Sequence, residues 1–169
     1  MPQWMSVLLL IAGLGFGMAV QAQTTELALG GIRQDSAAPV GITADQLKID
    51  QATGTAVFTG KVVIVQGSLK LSADAVRVEY LEGEAGATGQ INRLLATGNV
   101  LMVTPTEAAE AAEAEYSVAS SLIVMTGNVV LTQGASAVSG QKITINLADG
   151  TAVVEGRVTT TLQTGGKAP

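Results

Sequence analysis

The sequence predicts an all-β fold of stacked hairpins, and three observations support this prediction. A glycine, one polar residue and a valine recur together four times, beginning at Gly60, Gly98, Gly127 and Gly156. Apolar or small residues lie two and four positions before each glycine, which is the period of a strand with one buried face. A second alternating apolar pair comes earlier in each unit, so every unit contains two strands. Such repetition is typical of hairpins that stack on one another and share a core.

The spacing of the repeats is regular apart from one insertion. The apolar pair begins 13 residues before its glycine in three units, as from Leu47 to Gly60, and 22 residues before it from Val76 to Gly98. The segment 82–90, EGEAGATGQ, is rich in turn-forming residues and accounts for the longer interval. Without that insertion, one repeat occupies roughly thirty residues, a period within the range of known repeat architectures.

The strands follow from the apolar alternation, with turn residues between them. Strands are expected over 42–50, 55–65, 69–73, 76–81, 91–103, 122–132, 142–147 and 151–162. The inward-facing positions change from odd to even numbers between Leu71 and Val76. A bulge near Ala73-Asp74 would account for that change, because a bulge shifts which side chains face inward.

One segment has helix propensity instead. Residues 106–115, TEAAEAAEAE, consist mainly of alanine and glutamate, with Thr106 available as an N-cap. The repeat spacing nevertheless predicts a strand from Ala114 onward. A short helical turn that ends near Ala112 would satisfy both patterns.

The chain of 169 residues is long enough for one domain with a substantial core. The expected organisation is a signal peptide over 1–22, a flexible N-terminal lead over 23–40, the repeat domain over 41–162 and a disordered tail over 163–169. Residues 7–20 are apolar and of signal-peptide length, and Val20-Gln21-Ala22 suits signal peptidase. A retained membrane anchor is the alternative, and residues 1–6 lack the Lys or Arg that usually begins a signal peptide.

The composition argues against an enzyme. The chain contains no cysteine and no histidine, which removes disulfides, thiolate chemistry, the commonest general base and the usual transition-metal ligands. We therefore expect no cofactor, no metal and no catalytic residue. Catalysis by carboxylates alone stays open, with Asp45, Asp74, Glu113 and Glu115 as candidates, but solvated strand-end positions explain these carboxylates better.

Neither the charge nor the glycine pattern indicates phosphate recognition. The formal net charge is −5 and the chain has no basic stripe, so nucleic acid is not an expected partner. Gly83, Gly86 and Gly89 lack the strand-then-helix context of a phosphate-binding loop and are expected in a hairpin turn.

Three stretches, 62–65, 100–103 and 129–131, are apolar on both faces of their strands. Buried strands of a sandwich or edges covered by a partner would explain this, and so would a hollow interior that receives an apolar ligand. The inward positions form one set of residues that is either core or the lining of such an interior. These residues are Leu47, Ile49, Phe58, Val62, Ile64, Leu71, Val76, Val78, Leu94, Val100, Met102, Tyr116, Ile123, Met125, Val129, Leu131, Ile143, Ile145, Val154 and Val158.

The repeats resemble those of a known family. The stretches Leu94 to Val100 (LLATGNV) and Val129 to Gly134 (VVLTQG), the alternating apolar pairs and the signal peptide in front of them carry the likeness. They resemble the OstA-like domain and, within it, the LptA family of periplasmic lipopolysaccharide-transport bridge proteins. The likeness extends over about 41–162, and it departs from the family pattern where Lys61 and Arg157 replace asparagine.

The resemblance implies a fold, a ligand and partners. The expected fold is an open, V-shaped β-jellyroll of two antiparallel sheets whose interior, lined by the inward residues, holds the acyl chains of lipopolysaccharide. Head-to-tail self-association in the periplasm is also implied, with an inner-membrane-anchored transport subunit at the N-terminal edge (41–49) and an outer-membrane translocon at the C-terminal edge (152–162). The alternatives are a β-solenoid filament protein without a lipid ligand, a membrane-anchored relative in the same pathway, and a carboxylate-only polysaccharide enzyme.

Overall fold

The computed structural model of the chain describes residues 25–28, 38–81 and 89–162, and all of its regular elements are strands. The strands are β1 (Thr25–Ala28), β2 (Val40–Thr43), β3 (Gln46–Asp50), β4 (Thr55–Gln66), β5 (Leu69–Tyr80), β6 (Ile91–Val103), β7 (Glu107–Ser117), β8 (Leu122–Gln133), β9 (Ser136–Asn146), β10 (Thr151–Glu155) and β11 (Thr159–Thr161). No helix in these ranges has the length and apolarity needed to cross a membrane.

One antiparallel sheet contains all of these strands. Its order is β1-β10-β9-β8-β7-β6-β5-β4-β2, and β3 and β11 also pair with β4 and β9. From β4 to β10, each strand pairs with the one that follows it in sequence, because hairpin turns such as Gln66–Leu69 connect them. The predicted all-β fold of stacked hairpins is therefore confirmed.

The sheet folds along a single line, here called the crease. At the crease a glycine and the residue after it lie opposite one residue of the neighbouring strand, so the register shifts there, as between Thr59 and Val62 of β4. The same shift recurs in the pairings β5–β6, β6–β7, β7–β8 and β8–β9. The crease consists of Asp45, Gly60-Lys61, Asp74, Gly98-Asn99, Ala112, Gly127-Asn128, Gln141 and Gly156-Arg157.

The four repeated dipeptides form the crease because both of their residues adopt positive φ. In the second repeat, Gly98 has φ +76° and Asn99 has φ +46°. Glycine enters this left-handed region freely, and asparagine is among the few other residues that enter it readily. The strands bend at these glycines, and neighbouring side chains come close to them, as Asp45 does at Gly60. The strands between them bend as well: in β5 the inward positions change from Ala73 to Val76 across Asp74, as the predicted bulge requires.

The crease divides the sheet into two sheets that face each other. The first sheet contains residues 40–43, 62–66, 69–73, 100–103, 107–111, 129–133, 136–140 and 159–161, and the second contains 25–28, 46–50, 55–59, 75–80, 91–97, 113–117, 122–126, 142–146 and 151–155. Their inner faces form one hydrophobic core, in which Met102 of the first sheet and Met125 of the second are both fully buried. The fold is the open, V-shaped β-jellyroll of two antiparallel sheets that the resemblance implied.

Three expectations about individual elements are wrong. Residues 107–117 form strand β7, not a helical turn, because β6 and β8 pair with this segment on both sides. Residues 136–141 belong to strand β9, which was expected to start at Lys142. The continuous strands expected over 42–50 and 151–162 are each interrupted at the crease, into β2 and β3 and into β10 and β11.

Some of the expectations concern residues outside the described ranges. They are the signal peptide, most of the N-terminal lead, the insertion with Gly83 and Gly86, and the tail over 163–169. Within the lead, residues 25–28 form strand β1.

Candidate functional site: an apolar cleft between the two sheets

A cleft separates the two sheets in the half of the molecule nearer to β2 and β4. Its volume is about 500 Å³, including the space of its open mouth. The first sheet supplies Val40, Ile64, Gln66, Leu69 and Leu71, and the second supplies Leu94, Ala96, Ala114, Tyr116 and Ile123. The part of this space that is open to the centre of a water-sized sphere is only about 40 Å³, so the cleft is narrow.

The cleft exists because two small residues lie side by side. Ala96 of β6 and Ala114 of β7 are direct neighbours in the register, between Val76 on one side and Met125 on the other. Protein interiors are otherwise packed to a high density, so two alanines among larger residues leave space above them. Further toward β10 the same row continues with Met125, Ile143 and Val154, all of which are fully buried, and the interior there is filled.

The wall of the cleft carries no charge, since no lining residue is Asp, Glu, Lys or Arg. Gln66 is buried, and its Nε2 donates a 3.0 Å hydrogen bond to the backbone oxygen of Ala38. Tyr116 is half-buried, and this burial raises the pKa of its phenol above the ordinary value of 10.0. The cleft therefore suits an uncharged, apolar group, and Tyr116, the ionisable side chain in its lining, keeps its proton at neutral pH.

A polar margin closes the tip of the first sheet beside the cleft. Glu107 is buried at the start of β7, and its carboxylate accepts hydrogen bonds from the hydroxyls of Thr104 and Thr106 and from Nε2 of Gln133 at 3.2 Å. The backbone N–H of Thr104 also donates to the Glu107 carbonyl at 2.9 Å, which forms the tight turn between β6 and β7. This margin gives the mouth of the V one polar side.

The structure places most of the predicted inward residues on the inner faces. Thirteen are buried: Val62, Val76, Val78, Leu94, Val100, Met102, Ile123, Met125, Val129, Leu131, Ile143, Ile145 and Val154. Phe58, Ile64, Leu71, Tyr116 and Val158 are half-buried and pack against that core. Leu47 and Ile49 are exposed at 49% and 48%, because β3 is an edge strand with no described neighbour beyond it.

Only part of this set lines the cleft. Ile64, Leu71, Leu94, Tyr116 and Ile123 contact the open space, whereas residues such as Ile145 are enclosed by other side chains. Five lining residues were not predicted: Val40, Gln66, Leu69, Ala96 and Ala114. The two-residue period would have found Val40 and Leu69, which precede Ile42 and Leu71 by two positions.

The apolar residues between the inward positions lie on the outer face of the first sheet. Val63 and Leu101 are half-buried there, and Val65 and Val130 are exposed at 44% and 37%. The alternation of side chains along each strand puts them outside. The cleft therefore accounts for the apolar residues on the inner faces of these strands, but not for those on the outer face.

The acidic residues considered for catalysis do not form one site. Asp74 lies in the middle of β5 at the crease and not at a strand end, and Asp45 lies at the crease between β2 and β3. Glu115 forms an ion pair with Arg93 at 3.2 Å on the outer face of the second sheet, and Glu79 forms another with it at 2.8 Å. The hydrogen bonds that Arg93 donates to Glu79, and next to Glu115, raise the pKa of its guanidinium. Among the described residues, no three acidic, histidine or cysteine side chains are arranged to hold a metal ion.

Comparison with known proteins identifies the family of the chain and a solved structure with a similar fold. Residues 41–151 match the family described as LptA/(LptD N-terminal domain) LPS transport protein. The crystal structure of LptH, the LptA-homologous periplasmic component of the lipopolysaccharide transport device of Pseudomonas aeruginosa, superposes with a TM-score of 0.66. That likeness covers 77% of this chain and 99% of LptH at 20% sequence identity, and therefore concerns the fold.

The chain also matches several known proteins in sequence. The uncharacterized protein R00383 of Rhizobium meliloti is 29% identical over 126 residues, which are 71% of this chain and 68% of the relative. The lipopolysaccharide export system protein LptA of Escherichia coli K12 is 38% identical over 52 residues, 31% of this chain and 28% of that protein. Because the family match extends over more than half of its length, the chain belongs to the LptA/(LptD N-terminal domain) family of LPS transport proteins.

Proposed function

We propose that this protein binds lipopolysaccharide in the periplasm and shields its acyl chains in the cleft between the two sheets. The observation that carries the proposal is the uncharged, apolar cleft with an open mouth, in a chain whose family consists of transport proteins and not of enzymes. Ile64, Leu71, Leu94, Tyr116 and Ile123, together with the alanine pair Ala96 and Ala114, would contact the lipid. The remaining predicted inward residues would support this lining as core.

The energetic need for such a cleft follows from the ligand class. Each methylene exposed to water loses about 0.8 kcal/mol, so an acyl chain of about ten methylenes that crosses an aqueous compartment unaided loses about 8 kcal/mol. A cleft lined by Leu71, Leu94 and Ile123 offsets this loss. Transfer between identical clefts in neighbouring molecules is close to isoenergetic, so the protein requires no catalytic residue, and direction is imposed by its partners.

The acidic character of the chain is compatible with an anionic glycolipid. With a net charge of −5, the protein would repel the phosphates of lipopolysaccharide. It would therefore bind the lipid through its acyl chains. The polar headgroup would leave the cleft at the mouth, where Glu107 and Gln133 form the polar margin. The phosphates would then remain in solvent, which avoids the large free-energy cost of burying a charge.

We further propose that copies of the protein assemble head to tail into a bridge between the two membranes. Among the described residues, β2 and β3 have no neighbour on their outer side, and unpaired edges invite strand addition by a like domain. The N-terminal edge (41–49) would meet an inner-membrane-anchored subunit and the C-terminal edge (152–162) an outer-membrane translocon. A heterologous contact of this kind does not close and produces rods.

A matched pair of variants tests lipid binding in the cleft. Ala114→Leu adds a larger side chain into the cleft, while Ala108→Leu adds the same atoms on the outer face of the same strand. We expect Ala114→Leu to reduce retention of purified lipopolysaccharide at least about tenfold and Ala108→Leu to leave it unchanged; this difference corresponds to about 1.4 kcal/mol. Equal retention by both variants, at equal thermal stability, would overturn the proposal.

A further inference from the structure

Strand β1 covers the last strand of the second sheet. Its four residues pair antiparallel with β10, in the register Thr25 with Val154 through Ala28 with Thr151. β10 is the strand at which a head-to-tail neighbour would add to this sheet, since β1 is the only described strand beyond it. The N-terminal strand of the chain therefore occupies its own C-terminal edge.

β1 runs in the same direction as the strand that a second copy would bring to this position. The first strand of the second sheet is β3, and it pairs antiparallel with β4. Six successive antiparallel pairings connect β4 to β10, so these two strands run in the same direction. Since β1 is antiparallel to β10 and β3 is antiparallel to β4, β1 and a stacked β3 share one polarity. β3 and β10 also have the same length, five residues, whereas β1 has four.

A neighbouring strand would bury apolar surface that is exposed on β3. Its inward residues Leu47 and Ile49 are about half exposed at the free edge. Pairing of β3 with another molecule's β10 would bring Ala152 and Val154, which are buried, next to them in the same row of the sheet. Burial of apolar area is the main favourable term in such an association.

The β1 pairing is short and therefore replaceable. It joins only four residues to β10, so it forms few hydrogen bonds in return for the chain entropy that it costs.

We propose that β1 is an intramolecular cover that takes the place of β3 of the next molecule and thereby limits head-to-tail growth. Assembly at the C-terminal edge requires β1 to leave β10, so the free N-terminal segment sets the protein concentration at which rods form. This inference rests on the head-to-tail assembly proposed above. The partner it names is a second copy of this chain, which binds through β3.

A disulfide lock tests the cover directly, because the chain has no cysteine of its own. Ala28→Cys with Thr151→Cys joins partners in the β1–β10 register. We expect the oxidised protein to be an internally linked monomer on a non-reducing gel after oxidation in dilute solution. It should require at least about ten times more protein to form rods than the reduced form of the same variant. The matched control, Glu110→Cys with Val130→Cys, links β7 to its own neighbour β8 in the middle of the sheet, away from both edges, and should not change assembly.

The opposite variant releases the cover. Leu27→Pro removes a backbone N–H from β1 and disfavours its pairing, so rods should form at about one tenth of the wild-type concentration. If the locked protein assembles as readily as its reduced form, or if the lock forms only between molecules, the inference about β1 is wrong. If neither the wild type nor Leu27→Pro assembles at any concentration, the head-to-tail proposal itself fails.

Discussion

The side-chain amide of Asn99 donates a 2.8 Å hydrogen bond to the carboxylate of Asp74 across the crease. Asn99 has positive φ in β6, and Asp74 is the residue at which β5 bends, so one hydrogen bond joins the two distortions that turn one sheet into two. Gly98 lies against the same carboxylate, and an added Cβ would clash with Oδ2 of Asp74. These contacts therefore hold β5 and β6 close together at the crease.

Substitution of Gly98 tests the crease. Gly98→Ala combines a strained φ of +76° with the clash against Asp74, and we expect the free energy of unfolding to fall by about 3 kcal/mol. Gly134→Ala is the control, because its φ of +58° imposes similar backbone strain but nothing lies within 4 Å of its Cβ position. It should lose only about 1 kcal/mol. Denaturant unfolding measures both, and equal losses would contradict the role assigned to the contact.

The departures from the family pattern predict two stabilising substitutions. Lys61 and Arg157 adopt φ values of +47° and +46°, which suit asparagine better than a long side chain. Lys61→Asn and Arg157→Asn should each raise the free energy of unfolding by about 0.5 kcal/mol, the size of a favourable backbone substitution. Lys70→Asn, at an exposed position inside strand β5, is the control and should not stabilise the protein. Thermal unfolding distinguishes these outcomes.

Removal of the buried carboxylate of Glu107 should weaken the polar margin. Glu107→Ala leaves the hydroxyls of Thr104 and Thr106 and the amide of Gln133 without this acceptor, and we expect a loss of about 1–3 kcal/mol. Glu110→Ala removes a carboxylate from the exposed outer face of the same strand and should change stability by less than about 0.5 kcal/mol. Losses of the same size in urea unfolding would show that the hydrogen bonds of Glu107 do not stabilise the hairpin.

The raised pKa of Tyr116 predicts a loss of stability in alkali. Above pH 10.0 the phenol ionises in the unfolded chain while the folded protein keeps its proton, so the unfolded state binds fewer protons and the free energy of unfolding decreases with pH. The decrease continues until the pH passes the raised pKa of the folded state. Tyr116→Phe should lose less stability than the wild type between pH 9 and that point, as measured by thermal unfolding. Parallel curves for the two proteins would contradict the burial of the phenol.

The arrangement of the strands could be predicted because each repeat contains a dipeptide that favours positive φ. Gly98-Asn99 and its three counterparts mark the places where the chain must enter the left-handed region, and the apolar period between them marks the inner face. The prediction from local helix propensity was wrong where pairing with neighbouring strands opposed it. In β7 the alanines at 109 and 114 are buried beneath neighbouring strands, and this pairing outweighs the helix preference of alanine and glutamate.

The cleft itself could be predicted only in part. Alternation identifies which residues face inward, but it does not say whether facing side chains fill the space between the sheets. That depends on cross-strand neighbours: Ala96 beside Ala114 leaves a gap, whereas Met125 beside Ile143 closes one. The breaks of the two edge strands at the crease were also missed. They depend on the pairing of β4 with both β2 and β3, and of β9 with both β10 and β11.

The most direct test of lipid binding is a photo-reactive amino acid placed in the cleft. We predict that the probe at Tyr116 cross-links to bound lipopolysaccharide, while the same probe at Lys61 or Arg157, both exposed at the crease, does not. Cross-linking at the crease positions without cross-linking at Tyr116 would contradict the proposal that the cleft holds the acyl chains.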